Sequence, residues 1–539
     1  MCVARFPSFN FDLLVLYPPP DLGKADRCVG EKFFRISMCK GAVMIMPDFS
    51  RGDLFIGGRW LPPVSGDSLT LVEAANGKPL GYAPLGGLAD VDSAVRAARM
   101  AFDSGPWPRL TPVERAQVLR RFAEELSVRG DATAELISRE NGSPIAVSRG
   151  ANTAVPVKLL HQYADLIESG WLEEIRPSGR GATIVRKAPV GVVAAIVPWN
   201  FPLLIAVAKI APALAAGCSV VVKPSPETAL DAFVLADAAE AAGLPPGVLN
   251  VVPADRAVSA ALVAHPGVDK VSFTGSTAAG RRIGESCGRL VRRVTLELGG
   301  KSASIVCEDA DLDVFAANLN STSFINNGQA CVLHSRVLAP RTRYDEVVEV
   351  VEQAARSLVL GDPLNPEVTC GPMVSSAHRD RVLGYVDAAK ASGARVVTGG
   401  GRPKSLPDGW FVEPTVVADV DNSSALAQEE VFGPVVAVIP YDGEEQAVAL
   451  ANASEFGLAG SVWTRDEQRG IDIARGVRTG TFGVNYYQMD LGSPFGGFKS
   501  SGIGREFGPE GLASFVEYQS IYVSADQLAG SAREEGEVE

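Results

Sequence analysis

The sequence predicts an α/β fold: a doubly wound parallel sheet, a second α/β domain, and a small β-ribbon. Two observations predict it. Between Gly191 and Gly299 four β-rich runs, GVVAAIVP, CSVVVKP, GVLNVVP and KVSFTG, alternate with helical segments such as PLLIAVAKIAPALAAG and ETALDAFVLADAAEAAG. Each connection is too long for a hairpin and long enough for a crossover helix, so the strands run parallel and present their carboxyl edge to a dinucleotide. A second β/α region follows from about Ser302 to Lys499, with RVTLELGG leading into it. At 539 residues the chain is too long for one ordinary core, and 46% apolar residues are enough to bury two or three lobes.

Residues 1–45 hold a Pro-Pro-Pro at 18–20, one short apolar run at Leu13–Leu16, mixed charge and three cysteines. They are expected to be a poorly ordered, dispensable extension, because the run is too short for the apolar core of a signal peptide and no small-residue cleavage site follows. Residues 53–61 (DLFIGGRWL) and 69–75 are expected as short strands joined through Pro-Pro and Ser-Gly. From Leu88 to about Asp165 the apolar residues recur at helical spacing, as in DVDSAVRAARMAFDSG and ERAQVLRRFAEELSVRG, which predicts several helices. Residues 46–169 and 188–299 are therefore grouped as the dinucleotide-binding domain, and 300–499 as the catalytic domain. Between them, 170–187 turns to alternation broken by Gly170, Gly179 and Gly181, which predicts a protruding β-ribbon used in assembly. The β-like run SFVEYQSIYVS at Ser514–Ser524 is suited to pair with it, so 170–187 and 514–525 form one oligomerisation element. Residues 526–539 are acidic and contain glycine, and are expected as a disordered tail.

Composition removes several function classes. No stretch approaches the roughly 20 uninterrupted apolar residues of a membrane helix. A net charge of -13 argues against nucleic acid as a partner. The eight cysteines show no CxxC pair and no regular spacing, which disfavours a disulfide framework and fits a reducing cytoplasm. The four histidines stand singly, so no metal site is expected.

The stretch from Glu297 to Arg336, ELGGKSASIVCEDADLDVFAANLNSTSFINNGQACVLHSR, concentrates candidate chemistry. A thiol is a useful nucleophile where a polar, partly exposed setting favours the thiolate, and the Asn-Asn-Gly-Gln approach to Cys331 predicts such a setting. Cys307, in SASIVCEDAD, reads instead as a small core hydrophobe. Glu297 is either a base or an ordinary solvated carboxylate on a turn. His334, three residues past Cys331, is not expected to pair with it, since such partners are usually distant in sequence. Phe273-Thr274-Gly275-Ser276-Thr277-Ala278-Ala279-Gly280 is a strand running through a glycine turn into a helix, with Gly275 and Gly280 permitting close backbone approach and the Ser276 hydroxyl and helix N-terminus offering donors to a phosphate.

Six phrases stand in order along the chain: Pro198-Trp199-Asn200-Phe201-Pro202, Phe273-Thr274-Gly275-Ser276-Thr277, Glu297-Leu298-Gly299-Gly300-Lys301, Gly328-Gln329-Ala330-Cys331, Glu430-Val431-Phe432-Gly433-Pro434 and Pro494-Phe495-Gly496-Gly497-Phe498-Lys499. From about Asp53 to about Val523 the chain resembles the NAD(P)-dependent aldehyde dehydrogenase superfamily, and Met44 and Met46 lie just before that stretch begins. The resemblance implies oxidation of an aldehyde to a carboxylic acid through a Cys331 thiohemiacetal and thioester, with hydride transfer to NAD(P). Asn200 resembles the family's oxyanion donor, acting with the backbone N–H of Cys331; on local grounds it serves equally well as the cap of a helix beginning at Phe201. Glu297 matches the general base that activates water against the thioester. Lys209 and Glu506 match a proton path behind that base, and read locally as an ordinary helix or surface ion pair. For the cofactor, the resemblance implies Trp199, Lys223, Ser225, Gly275, Ser276, Gly280, Leu298, Glu430 and Phe432, with Lys223 on the adenosine ribose and Glu430 on the nicotinamide ribose.

One departure bears on the cofactor. Many NAD-preferring relatives carry a glutamate three residues after that lysine, where this chain has Pro226, and Glu227 follows one later. NAD is the expected cofactor and NADP the alternative. Phe201, Ile205, Ala208, Val332 and Tyr486–Asp490 resemble the lining of the family's substrate tunnel, which suggests medium-chain aliphatic or aromatic aldehydes. Because acyl-transferring members usually lack the glutamate, a coenzyme A-acylating semialdehyde dehydrogenase is the second reading, and a catalytically silent binding protein the third. The expected partners are a small aldehyde and further copies of the chain, as a homodimer or homotetramer.

Overall fold

The computed structural model of the protein describes residues 34–39, 42–47 and 49–524. Strands Phe34–Cys39 (β1) and Ala42–Pro47 (β2) pair antiparallel as a hairpin in a unit of its own. The remainder of the expected extension at 1–45, and the tail expected at 526–539, lie outside the described residues. Residues 49–524 form one compact unit.

That unit opens with a correction. DLFIGGRWL is not one strand but a hairpin of Leu54–Ile56 (β3) and Arg59–Leu61 (β4), because Gly57 and Gly58 take left-handed φ of +63° and +74° and reverse the chain. Strands Ser68–Val72 (β5) and Pro79–Pro84 (β6) pair antiparallel beside it in sequence. The helical spacing then appears as Leu88–Asp103 (α1), Pro112–Val128 (α2), Gly130–Asn141 (α3) and Val155–Glu168 (α4). Helix α2 starts where the sequence provides a capping box: the Thr111 hydroxyl accepts from the Glu114 N–H while the Glu114 carboxylate accepts from the Thr111 N–H.

The ribbon is Glu173–Ser178 (β7) and Gly181–Pro189 (β8). After it come Val192–Ile196 (β9), Pro202–Ala216 (α5), Ser219–Lys223 (β10), Ala232–Ala241 (α6), Leu249–Val251 (β11), Arg256–Ala264 (α7), Lys270–Thr274 (β12), Thr277–Arg289 (α8) and Arg293–Glu297 (β13). Strands β13, β12, β9, β10 and β11 lie side by side in that order, all parallel, as the alternating pattern predicts. Strands β9 and β10 are buried along their whole length, which is why they read as unbroken apolar runs. Helix α5 is apolar on nearly every face for the same reason.

The second sheet is built from Ala303–Val306 (β14), Arg336–Pro340 (β15), Arg395–Thr398 (β16), Thr415–Ala418 (β17), Val435–Tyr441 (β18), Gly460–Trp463 (β19) and Gly483–Val484 (β20), ordered β16-β17-β18-β15-β14-β19-β20 and parallel except at β16. Helix Ser376–Ala391 (α9) precedes β16. The chain then returns to the first sheet, where Gly502–Ile503 (β21) pairs antiparallel with β13. A short helix, Gly508–Ala513 (α10), leads into Val516–Ser524 (β22), whose 9 residues pair antiparallel with β8 from Val516 against Pro189 to Ser524 against Gly181. The ribbon and the C-terminal strand therefore form one three-stranded sheet. Among the described residues no helix is long and apolar enough to cross a membrane.

What matters for function is where the parallel strands end. Lys223 closes β10, Thr274 closes β12 and Glu297 closes β13, so three polar residues emerge at one carboxyl edge, the edge where open α/β sheets bind ligands.

Candidate active site

Glu297 sits opposite Thr274 on one side and Gly502 on the other. Its side chain is buried at 3% exposure, and neither carboxylate oxygen has a hydrogen-bond partner among the described residues. Burial raises its pKa well above the ordinary carboxylate value; nearby Glu506 adds to the rise, and Lys209 and Arg505 oppose it. A carboxyl so placed takes up a proton readily. Gly496 lies against it, and a Cβ there would come within 2.7 Å of Glu297 Oε1.

The proton-path residues correct the cautious reading of a helix or surface pair. Lys209 on α5 and Glu506 are both buried, with exposures of 0% and 7%, and Nζ lies 2.5 Å from Oε1. Lys209 Nζ also donates to Thr274 Oγ1 at 2.7 Å. The pair is internal because α5 is surrounded by core on every side.

The Cys331 loop is shaped by an unusual backbone. Asn326, Asn327 and Gly328 have φ of 53°, 60° and 77°, three left-handed residues in succession, and asparagine tolerates that region better than most side chains. Their carboxamides hold the loop: Asn326 Nδ2 donates to the Asn200 carbonyl at 2.9 Å, and Asn327 Nδ2 to the carbonyls of Gly142 at 2.8 Å and Pro372 at 2.9 Å. Gln329 Oε1 accepts from the Val374 N–H at 3.0 Å. A Cβ at Gly300 would collide with the Cys331 carbonyl oxygen, so the turn after Glu297 and the Cys331 loop are in direct contact.

Cys331 is half-buried, as the expected partly exposed setting requires, but its surroundings do not favour the thiolate. Burial pushes the thiol up, and the carboxylates of Glu430, Glu297 and Glu506 push it further. The polar approach sequence did not foretell this because the three carboxylates arrive from distant segments. His334 is not its partner: Nδ1 shares a hydrogen bond with Ser461 Oγ at 3.0 Å, and the ring stands edge-on to Tyr487 at 4.7 Å. Cys307 is fully buried in the second core, as its apolar neighbours predict.

Asn200 does not cap α5. The cap position is Phe201, which makes no side-chain cap bond, and Asn200 Nδ2 instead donates to the Gln329 carbonyl at 3.0 Å. One N–H thus fixes the carboxamide two residues from Cys331 and leaves the other for a ligand. The Asn200 carbonyl accepts from Asn141 Nδ2 at 3.2 Å, and Asn141 also donates to the Trp199 carbonyl at 3.0 Å. Asn326 and Gln329 belong to the polar approach the sequence marks out, but Asn141 has no such signal, since an asparagine that braces a distant loop carries no local signature.

The cofactor candidates gather at the same edge. Lys223 is buried, and desolvation lowers its pKa to about 8 against the opposing pull of Glu227 and Asp255. Ser225 Oγ donates to Glu227 Oε2 at 2.5 Å. Ser276 caps α8, accepting from the Ala279 N–H at 3.3 Å and keeping its own O–H to donate, while the Thr277 hydroxyl beside it is buried and unpartnered. The two glycines of this turn have internal reasons as well: a Cβ at Gly275 would meet the Phe273 ring at 2.6 Å, and one at Gly280 would collide with Leu298. Glu430 accepts from the Gly300 N–H at 2.9 Å, and burial raises its pKa to about 7. Phe432, itself at a left-handed φ of 61°, stands perpendicular to Trp199 at 5.3 Å, and its carbonyl is held by His378 Nε2 at 2.7 Å. His378 on α9 is a further residue the sequence did not reveal. An orphaned hydroxyl at a helix N-terminus, a desolvated lysine at a strand end and a half-buried carboxyl across the Cys331 loop are the donor and acceptor set a dinucleotide needs, so the residues fit one.

Around this edge Phe201, Ile205, Val332 and Met489 are half-buried against the apolar cluster that also receives Cys331, whereas Ala208 is buried inside it. A cavity of about 440 Å³ runs along Tyr486–Asp490, with Phe482 and Phe495 among its walls. Gln162 of α4 pins that loop, Nε2 donating to the Leu491 carbonyl at 2.7 Å.

Comparison with known proteins agrees with this arrangement. The profile of the aldehyde dehydrogenase family matches residues 60–521. Geranial dehydrogenase from Castellaniella defragrans is 52% identical over 471 residues, 87% of this chain and 98% of that one. Among solved structures, an aldehyde dehydrogenase from Mycobacterium tuberculosis complexed with NAD+ is 46% identical with a TM-score of 0.87, covering 89% of this chain and 99% of its own. A cysteine-to-alanine variant of aldehyde dehydrogenase C from Pseudomonas syringae, complexed with NAD+ and octanal, is 37% identical with a TM-score of 0.84 over 87% of this chain and 96% of its own.

Proposed function

This chain belongs to the aldehyde dehydrogenase family and oxidises an aldehyde to a carboxylic acid with NAD, and we propose that Cys331, Asn200 and Glu297 carry that reaction. Cys331 Sγ adds to the aldehyde carbon as its proton passes to Glu297, since a thiol raised in pKa needs a base to become a nucleophile. The free N–H of Asn200 and the backbone N–H of Cys331 donate to the developing oxyanion. Lys223, Ser225, Ser276 with Gly275 and Gly280, and the N-terminus of α8 would hold the adenosine and phosphate end of NAD, and Glu430, Phe432, Trp199 and Leu298 the nicotinamide end. Bound there, NAD supplies the acceptor for the electron pair lost from the substrate carbon. Glu297 gives that proton up to solvent and then takes one from water, which attacks the thioester; the acid departs and Glu297 returns its proton to the Cys331 sulfur.

The observation that carries this reading is the buried Glu297 carboxylate, without a hydrogen-bond partner among the described residues, at a strand end whose following turn touches the Cys331 loop through Gly300. Replacing Cys331 by Ala is expected to abolish acid formation while NAD binding persists; continued acid formation would overturn the assignment. Adding coenzyme A is expected to leave the free acid as product, and appearance of an acyl-coenzyme A would favour the acyl-transferring reading.

The substrate is a medium-chain apolar aldehyde. Half-buried Phe201, Ile205, Val332 and Met489 support this, as does the 52% identity to geranial dehydrogenase. A panel of aldehydes tested with NAD and NADP checks both choices. The sheet β22-β8-β7 joins copies of the chain into a homodimer or homotetramer in the cytoplasm; exposed Ile175, Tyr518, Ile521 and Tyr522 on that sheet support an assembly surface, which light scattering tests.

A further inference from the structure

We propose that Asn141, in the last turn of α3, is a positioning residue for the oxyanion donor: it fixes the plane in which Asn200 offers its free N–H. Three consecutive residues of this turn each grip a different segment of the chain. Glu140, 1% exposed, accepts from the N–H groups of Leu230 at 2.9 Å and Asp231 at 3.2 Å, between β10 and α6. Asn141 Nδ2 donates to the carbonyls of Trp199 at 3.0 Å and Asn200 at 3.2 Å. The Gly142 carbonyl accepts from Asn327 Nδ2 of the Cys331 loop at 2.8 Å. The turn itself is fixed. Asn141 Oδ1 accepts from the Ser143 N–H at 2.9 Å, and Gly142 takes a left-handed φ of +80°, where a Cβ would come within 2.6 Å of the Pro372 carbonyl oxygen.

Satisfying two buried carbonyls needs no particular residue. What singles out Asn141 is that one carboxamide nitrogen serves two consecutive peptide units, and so fixes both relative to α3. The second of those units belongs to Asn200. Its carbonyl is also held from the Cys331 loop, by Asn326 Nδ2 at 2.9 Å, and its side chain commits one N–H to the Gln329 carbonyl at 3.0 Å. With the backbone clamped between α3 and the Cys331 loop, the planar carboxamide points its second N–H in one direction. Without the Asn141 bonds the Trp199–Asn200 peptide is free to turn, and the donor leaves the place where the oxyanion forms. The loss falls on addition of the thiol to the aldehyde, the step in which that donor acts. Asn141, itself 1% exposed, acts through Asn200.

This inference rests on the proposed role of Asn200, and a double-mutant cycle separates the two. Asn141→Ala removes the donor. Asn141→Ser keeps an oxygen for the Ser143 N–H but is too short to span both carbonyls, so one folded variant of the two suffices. Each is made alone and together with Asn200→Ala. NADH formation is followed in a single turnover with NAD and with enzyme in excess over a medium-chain apolar aldehyde, so that the loss of about a thousandfold that one missing oxyanion donor can cause is still read. Expected are a rate at least about tenfold below wild type for the Asn141 variants, an NAD affinity unchanged by titration calorimetry, and an effect of less than about twofold once Asn200 is already alanine. A wild-type rate in a folded Asn141 variant would overturn the proposal, as would equal slowing in both backgrounds. So would a loss of NAD affinity as large as the fall in rate, or failure of both variants to fold, because those mark a packing role. Failure of the underlying reading shows separately, as Asn200→Ala alone reacting at the wild-type rate.

Discussion

Lys209 and Glu506, 297 positions apart in the chain, meet in the interior with Nζ 2.5 Å from Oε1. Lys209 Nζ also donates to Thr274 Oγ1 at 2.7 Å, and Thr274 is the strand partner of Glu297. The pair ties helix α5 to the C-terminal segment that carries Glu506, and its burial sets the cost of breaking it.

Lys209→Met leaves Glu506 in the core without its cation. Removing one member of a buried pair typically costs about 3–5 kcal/mol, since the remaining charge is uncompensated. A fall of that order in urea stability is expected, with much of it recovered in Lys209→Met/Glu506→Leu, where no charge remains.

Lys223 trades stability for binding. Its pKa falls from 10.5 to about 8 on folding, so its contribution is fully favourable only above pH 10.5 and is lost as pH drops through 8. Lys223→Met is therefore expected to be more stable than the wild type at pH 7, with the difference shrinking between pH 8 and 10.5. Its affinity for NAD is expected to drop at least tenfold by titration calorimetry. Thermal melts of both proteins across that pH range check the sign.

Gly300 has no room for a side chain, because a Cβ there would run into the Cys331 carbonyl oxygen. Gly300→Ala must displace the loop that presents the nucleophile. A shift of about 1 Å in a reacting group costs on the order of a hundredfold in rate, so kcat is expected to fall by roughly that factor while the fold persists by circular dichroism.

Glu297 works as a base only when ionised. Its raised pKa places the acidic limb of the rate profile above the usual carboxylate range, with acid formation rising as pH increases through it. A profile of kcat against pH that is flat from pH 5 upward would contradict this assignment.

Much of this molecule was legible in its residues. The runs GVVAAIVP and CSVVVKP became β9 and β10 because a strand buried on both faces has to be apolar throughout, and the β-like run SFVEYQSIYVS pairs with the ribbon. Local patterns failed where the cause was tertiary. Gly57-Gly58 looked like the interior of a strand until their positive φ values made a hairpin. The Lys209–Glu506 pair read as a surface pair because neither residue records the apolar surroundings of the other. The polar approach to Cys331 suggested a thiolate, yet Glu297, Glu430 and Glu506 converge from separate segments and oppose it. Asn141 and His378 left no trace, since bracing a carbonyl needs only a donor at the right place.

The most direct test is the intact mass of Glu297→Gln after incubation with NAD and a medium-chain apolar aldehyde. The expected result is an unmodified Cys331 and no NADH released, because without this base the thiol keeps its proton and does not add to the aldehyde. Sustained turnover with an unmodified Cys331 would contradict the assignment of these two residues.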